Sequence, residues 1–322
     1  MDFQRRHWKE GIPLSKALTY SLLFLVMFFW GLNVIAIKIL VANFPPVMIT
    51  SLRILFAGLI VLAVLVFQKN LRALSTKEWM YTALGGLLGM VANQSLLAVG
   101  LEQVTASNAA LILALVPLTT SILAMIFLGD RLTLLRLIGI GFGLTGISFV
   151  ILEGSGGIGG ISVGAFYVFG AMFSQASSFI WINKATETLE PRQATAVMLT
   201  MGAVILFVIS LFLEPAGTAK LDQGSLGVWL VFLLSAVLAT ALGQNLYNMA
   251  IHRLGAGQTA IFINLIPFFS LIGAVLFLGE DIVLPQILGF VFIVAGVLFG
   301  TGYMDERLKK LRNRSQAVKR EV

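Results

Sequence analysis

Apolar residues along this chain fall in blocks of roughly twenty, separated by short polar connections. That length is too great for a strand and matches what a helix needs to cross a hydrocarbon layer of about 30 Å. Ten blocks are read, at about 17–40, 47–67, 79–99, 106–128, 134–152, 162–183, 194–213, 226–249, 257–278 and 284–303. Two of them carry a proline near the middle, in LVPLTTSILAMIFLGD (115–130) and LIPFFSLIGAVLFLGE (265–280). At 1.5 Å per residue, Pro117 and Pro267 lie near the midplane of their blocks. Proline there removes a backbone hydrogen bond and bends the helix. Lipid tolerates the freed carbonyl only beside protein or a water-filled space. The pattern therefore predicts kinked fourth and ninth helices beside a central cavity, with the kinks either as bending points or as static kinks that improve packing.

The two prolines also set a register. Shifting the chain by 150 residues aligns 79–147 with 229–297 without a gap, and 18 of the 69 positions are identical. Trp79/Trp229, Gln94/Gln244, Pro117/Pro267, Gly139/Gly289 and Gly146/Gly296 are among them. At an offset of 146, Lys38 meets Lys184 and Pro45 meets Pro191. Each half thus holds five helices, and because five is odd the second half enters the membrane from the opposite face. The expected organisation is an N-terminal segment 1–16, repeats at 17–153 and 162–303, a Gly-rich linker at 154–161 and a basic tail at 304–322. The fold class is an all-α integral membrane protein with ten transmembrane helices, arranged as two inverted five-helix repeats around a central cavity. Inverted repeats of this kind suit alternating access.

Composition agrees. Hydrophobic residues make up 58% and charged residues 11%, with a mean hydropathy of +0.95, which leaves too little polar surface for a water-soluble globule. If both termini are cytoplasmic, 19 of the 22 basic residues fall on the inside, only Lys220 falls outside, and Lys38 and Arg53 fall within spans. That asymmetry predicts a multi-pass protein of the cell membrane with cytoplasmic termini. The first block is too long for a signal peptide and lacks a small-x-small cleavage site, so it reads as an uncleaved helix. The basic termini read as orienting charges rather than a nucleic-acid surface. There is no cysteine, and His7 and His252 sit in or beside loops, so no metal site, no cofactor and no enzyme is expected. None of the fifteen acidic residues lies in the interior of a span, which counts against exchange of a proton for a cationic drug.

FFWGLNVIAIKIL (28–40), PPVMITSLRILFAG (45–58) and ASNAALILALVPLTTSILAMIFLGDRL (106–132) carry a further signal. Through them the chain resembles the drug/metabolite transporter superfamily, specifically its EamA-type ten-helix members, over nearly its whole length. The resemblance implies a secondary transporter of small polar or amphipathic metabolites such as amino acids, working as an exporter. A multidrug exporter, or a non-transporting membrane scaffold or sensor, are the alternatives. The second repeat departs from the first: Trp30, Gly31 and Arg53 stand against Ala176, Ser177 and Leu199, so the cavity should be asymmetric.

Polar side chains at lipid depth face a cavity or a partner helix. The candidates for substrate contact are Trp30, Asn33, Asn93, Gln94, Gln244, Asn245, Tyr247, Asn248 and Asn264. Gln94 and Gln244 are repeat equivalents expected to face each other, and they serve either as interhelical glue or as substrate contacts. Such amides and rings suit a neutral or zwitterionic solute. The serines of the sixth helix read as bonding their own backbone. Lys38 and Arg53 lie near the ends of their helices, where they snorkel or pair structurally; attraction of an anion is the alternative. Glycine stripes on the fifth and tenth helices predict close packing, with a dimer surface there as a weaker alternative. The partners expected are a small-molecule substrate and the lipid bilayer, and the chain is a monomer or homodimer.

Overall fold

The computed structural model describes residues 16–128, 133–154, 162–254 and 262–300, and these contain no strand. Their helices are α1 (Lys16–Asn43), α2 (Pro46–Phe67), α3 (Thr76–Gln103), α4 (Ala106–Leu113 continuing as Val116–Leu128), α5 (Leu134–Gly154), α6 (Val163–Thr186), α7 (Pro191–Leu213), α8 (226–254), α9 (Leu265–Leu278) and α10 (Leu284–Gly300). Seven are long and apolar enough to cross a membrane, while α5, α9 and α10 supply shorter apolar stretches. Most of the Gly-rich linker lies outside the described residues.

Local chemistry sets the helix starts. Proline occupies the first turn of α2 and of α7, where its missing N–H would have had no partner. The N-cap side chains of Ser75, Thr105, Ser162 and Ser225 accept backbone N–H groups at the starts of α3, α4, α6 and α8. Ser75 completes a capping box with Glu78.

α4 is interrupted at Ala114 and Leu115, just ahead of Pro117, where Leu115 N donates to Ile112 O at 3.1 Å. α9 starts after a turn at 263–264, just ahead of Pro267, with Ile266 N donating to Ile263 O at 3.0 Å. Both contacts close tighter i→i+3 rings where the proline has no N–H to give.

A second irregularity was not visible in the sequence. α3 contains a π-helical segment, Leu87–Ala92, and α8 contains one at Ser235–Leu242. At the repeat offset of 150 the first maps onto 237–242, within the second. A third, Ala274–Leu278, closes α9 and has no counterpart in α4.

Helix pairing interlocks the two repeats. The main interfaces are α2 with α7, α5 with α10, α1 with α9, α4 with α6, α3 with α6 and α1 with α8. Exchanging the repeats maps this set onto itself. The directions follow from which residues meet. Val47 bonds Glu214, Gly58 abuts Thr200 and Gln68 meets Arg192, so α2 and α7 run antiparallel. Phe28 packs on Phe269 and Gly273 on Leu32, so α1 and α9 run parallel. Second helices antiparallel and first parallel to fourth is the arrangement inverted five-helix repeats require.

The glycine stripes are consumed inside this bundle. Gly139, Gly143 and Gly146 of α5 meet Gly289, Gly296 and Gly300 of α10 backbone to backbone, so these faces are not available for a dimer. Gly139→Ala tests the packing. Alanine gains about 1 kcal/mol of helix propensity, but the new Cβ would lie 2.2 Å from Gly300 N and 2.5 Å from its Cα. Backbone cannot swing aside, and overpacking costs about 1–3 kcal/mol. The variant is expected to lose thermal stability in detergent, read by size-exclusion after a heating series. An unchanged or raised midpoint would show that the helices separate freely.

Candidate functional site

The buried polar groups of the bundle centre on Arg53. It lies seven residues into α2, roughly 10 Å along the helix, and its side chain does not snorkel: the residue is 2% exposed. Its Nη2 donates to Gln94 Oε1 at 2.6 Å, and its Nη1 donates to Thr240 Oγ1 at 3.1 Å and Ser235 Oγ at 3.4 Å. The acceptors are themselves held. Gln94 Nε2 donates to Asn93 Oδ1 at 2.9 Å, and Asn93 Nδ2 donates to Ala171 O of α6 at 2.8 Å. Ser235 Oγ donates to Asn33 Oδ1 at 2.5 Å, and Thr240 Oγ1 to Ser235 O at 3.1 Å. One network therefore ties α1, α2, α3, α6 and α8.

The π segments build this network. Ser235 and Thr240 both lie in the π turn of α8, and Asn93 and Gln94 follow directly on that of α3. A wider turn re-aims the side chains around it. A carbonyl of the α8 π segment, Ala239 O, accepts Trp30 Nε1 at 2.8 Å. The Trp30 ring packs on Tyr247 with centroids 5.0 Å apart, and the backbone of Gly243 approaches closely enough that a Cβ there would lie 2.8 Å from Trp30 Nε1.

The other expected residues divide. Gln244 is half-buried beside Gly243 on α8. Asn245 gives its amide to Ala241 O of its own helix at 2.7 Å, which makes it a local backbone partner. The side chain of Asn248 lies outside the described residues. Asn264 lines an apolar crevice of about 360 Å³ between α9 and α10, with Phe268 and Phe290, apart from the Arg53 network. Lys38 donates to Leu101 O and, at 2.8 Å, to Val104 O, closing the C-terminal end of α3. Ser177 of α6 bonds Phe173 O of its own helix and Ser178 bonds Gln175 O.

The two ends of the bundle are tied across the repeats. At the far face, where α1 ends, Glu214 after α7 accepts Val47 N (2.9 Å) and Met48 N (2.8 Å) at the start of α2. Glu280 after α9 accepts Ala106 N (2.7 Å), Ser107 N (3.0 Å) and Ser107 Oγ (2.7 Å) at the start of α4. Carboxylates at helix N-termini are held by unpaired N–H groups and the helix dipole. At the near face Gln68, which stands at Glu214's repeat position, accepts Arg192 Nη1 at 3.5 Å. Arg72 forms a forked ion pair with Glu78, and Gln193 reaches Arg72 O.

Interlocked inverted repeats, a polar network where they meet and carboxylate ties at the far face are the architecture of a membrane transporter. The model of the EamA-like transporter family matches residues 17–152 and again 162–301, and the chain belongs to that family. It is 29% identical over 304 residues to the uncharacterized transporter YyaM of Bacillus subtilis, spanning 93% of this chain and 98% of that one. Identity to the uncharacterized inner membrane transporter YedA of Escherichia coli K12 is 26% over 233 residues, spanning 72% and 73%. A solved crystal structure shares the fold with a TM-score of 0.63 at 16% identity, covering 91% of this chain and 99% of that chain.

Proposed function

We propose that this membrane transporter is a secondary carrier that exports small polar or amphipathic metabolites such as amino acids by alternating access. The observation that carries the reading is the set of half-buried side chains Trp30, Asn33, Gln94 and Tyr247 in and beside the Arg53 network, to which both repeats contribute. Amides and an indole–phenol pair offer hydrogen bonds and apolar faces to one compact organic solute. With the termini cytoplasmic, the far face closed by Glu214 and Glu280 is the external one. An uncompensated Arg53 repels cations, which counts against export of cationic drugs.

Counterflow in vesicles reconstituted with the full chain, across labelled amino acids and nucleosides, tests the reading. Exchange of at least one class is expected, and no exchange of any solute would sink it. Gln94→Ala should cut the exchange rate about tenfold or more, because the acceptor that orients the Arg53 fork and takes it back after solute release is lost. Wild-type rates in a well-folded Gln94→Ala protein would remove Gln94 from the site. Lower intracellular solute in expressing cells would fix the direction as export.

A further inference from the structure

We infer that Arg53 is the subsite for a carboxylate group carried by the transported solute, an inference that rests on the carrier reading above. The starting observation is a charge without a counter-charge. Among the described residues, no carboxylate forms a salt bridge with the guanidinium, and its three hydrogen bonds go to the neutral oxygens of Gln94, Thr240 and Ser235. The described acids stand at the ends of the helices or in the connections, with Glu78, Glu214 and Glu280 bound there to other partners. A lone cation held within a transmembrane bundle is expensive. Neutral acceptors offset that cost only in part.

The geometry suits an anion. The guanidinium has five N–H donors in a planar fork, and three of them are engaged. Its acceptors are turned toward it by bonds of their own: Gln94 through Asn93, Ser235 through Asn33, Thr240 through the backbone of Ser235. Gln94 and Thr240 are only half-buried, so they form the side from which a ligand displaces them. A carboxylate taking their place gains two parallel charge-assisted bonds. A single cation matches a single negative charge: Lys38, the other basic residue of α1 and α2 at span depth, is spent on the end of α3. A dianionic phosphate would therefore be left half-compensated. The Trp30–Tyr247 pair supplies an aromatic wall on the same helices, α1 and α8, suited to an apolar body or an ammonium group. The substrate class is thus small monocarboxylates, amino-acid zwitterions included.

The test sets each amino acid beside its C-terminal amide, which differs only in the carboxylate. Purified full-length protein is read by ligand-induced thermal shift, and reconstituted vesicles by competition in counterflow. Acids are expected to stabilise and compete, and amides to do so at least tenfold more weakly. Arg53→Gln, shown folded by size exclusion, should lose about tenfold to a hundredfold in acid affinity and with it the preference over the amide. Arg53→Lys keeps the charge but not the fork and should fall between. Acids and amides acting equally on the wild type would overturn the inference and leave the carrier reading intact. Undiminished acid preference in folded Arg53→Gln would overturn it too. Exchange of neither acids, amides nor nucleosides would overturn both readings. If neither Arg53 variant folds, the wild-type comparison of acid with amide still decides.

Discussion

Glu280→Ala is expected to unlatch the N-terminus of α4 and open the far face of the bundle. One carboxylate accepts three hydrogen bonds there, from Ala106 N, Ser107 N and Ser107 Oγ. Bonds to a charged group net about 1.5–3 kcal/mol each when buried, and favourable placement at a helix N-terminus adds about 0.3–1 kcal/mol. Glu280 is half-buried at the end of its helix, so screening and non-additivity reduce the total to about 2–3 kcal/mol. That amounts to roughly a thirtyfold to 150-fold change in the equilibrium between held and released α4. The chain contains no cysteine, so Ala110→Cys gives a unique thiol in the first turns of α4, buried at 1% exposure. Its maleimide labelling in vesicles should rise by about that factor when Glu280→Ala is added. Glu280→Gln, which keeps one carbonyl acceptor, should fall between. Equal labelling in all three would show that something other than Glu280 closes this face.

The latch also marks which part of the bundle is free to move. α2 and α7 are tied at both ends, by Glu214 at the far face and Gln68–Arg192 at the near face. α5 and α10 are joined glycine to glycine along their length. These pairs form the frame. α4, interrupted before Pro117 and held at its start by Glu280, is the element that the proposed cycle would release. The centre is built unequally: the first repeat supplies the cation Arg53, where the second has Leu199, and the second supplies Ser235 and Thr240 as its acceptors.

Much of this was legible in the sequence because it is periodic. Apolar length marked the spans, the paired prolines and glutamines fixed the repeat, and the odd number of helices per repeat implied inversion. What was not legible depends on rotation and on distant partners. Arg53 lies about 10 Å into its helix, a depth from which a long side chain either snorkels or turns inward. The choice was settled by the face α2 shows to α8 and to Gln94 on α3, 41 residues away. The capping roles of Glu214 and Glu280 were not legible because the N-termini they cap lie 167 and 174 residues distant. The π segments left no mark, since one extra residue in a turn of SAVLATAL does not disturb an unbroken apolar run. Asn245 and Asn264 were expected at the site as polar side chains at lipid depth; Asn245 bonds its own backbone and Asn264 lines the α9–α10 crevice, choices that depend on helix rotation.

Replacing both prolines by alanine is expected to give a more stable protein that cycles more slowly. In a helix interior proline costs about 3 kcal/mol relative to alanine. The interruptions at Ala114–Leu115 and at 263–264 already absorb part of that cost, because the residues around them have left α-helical bonding. An N–H at 117 or 267 offers the missing donor and favours an unbroken helix. Straightening α4 and α9 would resist the bending that the proposed alternating access requires of them. Substrate affinity should change little if the Arg53 network on α2, α3 and α8 sets it, as proposed. The double variant Pro117→Ala, Pro267→Ala is therefore expected to melt several degrees higher, bind solute within about threefold of wild type and exchange it at least tenfold more slowly. A gain of about 1–3 kcal/mol is of the size that commonly costs activity where function needs a flexible element. Turnover at the wild-type rate in the stabilised protein would make the two prolines static kinks and move the bending elsewhere, the π turns of α3 and α8 first.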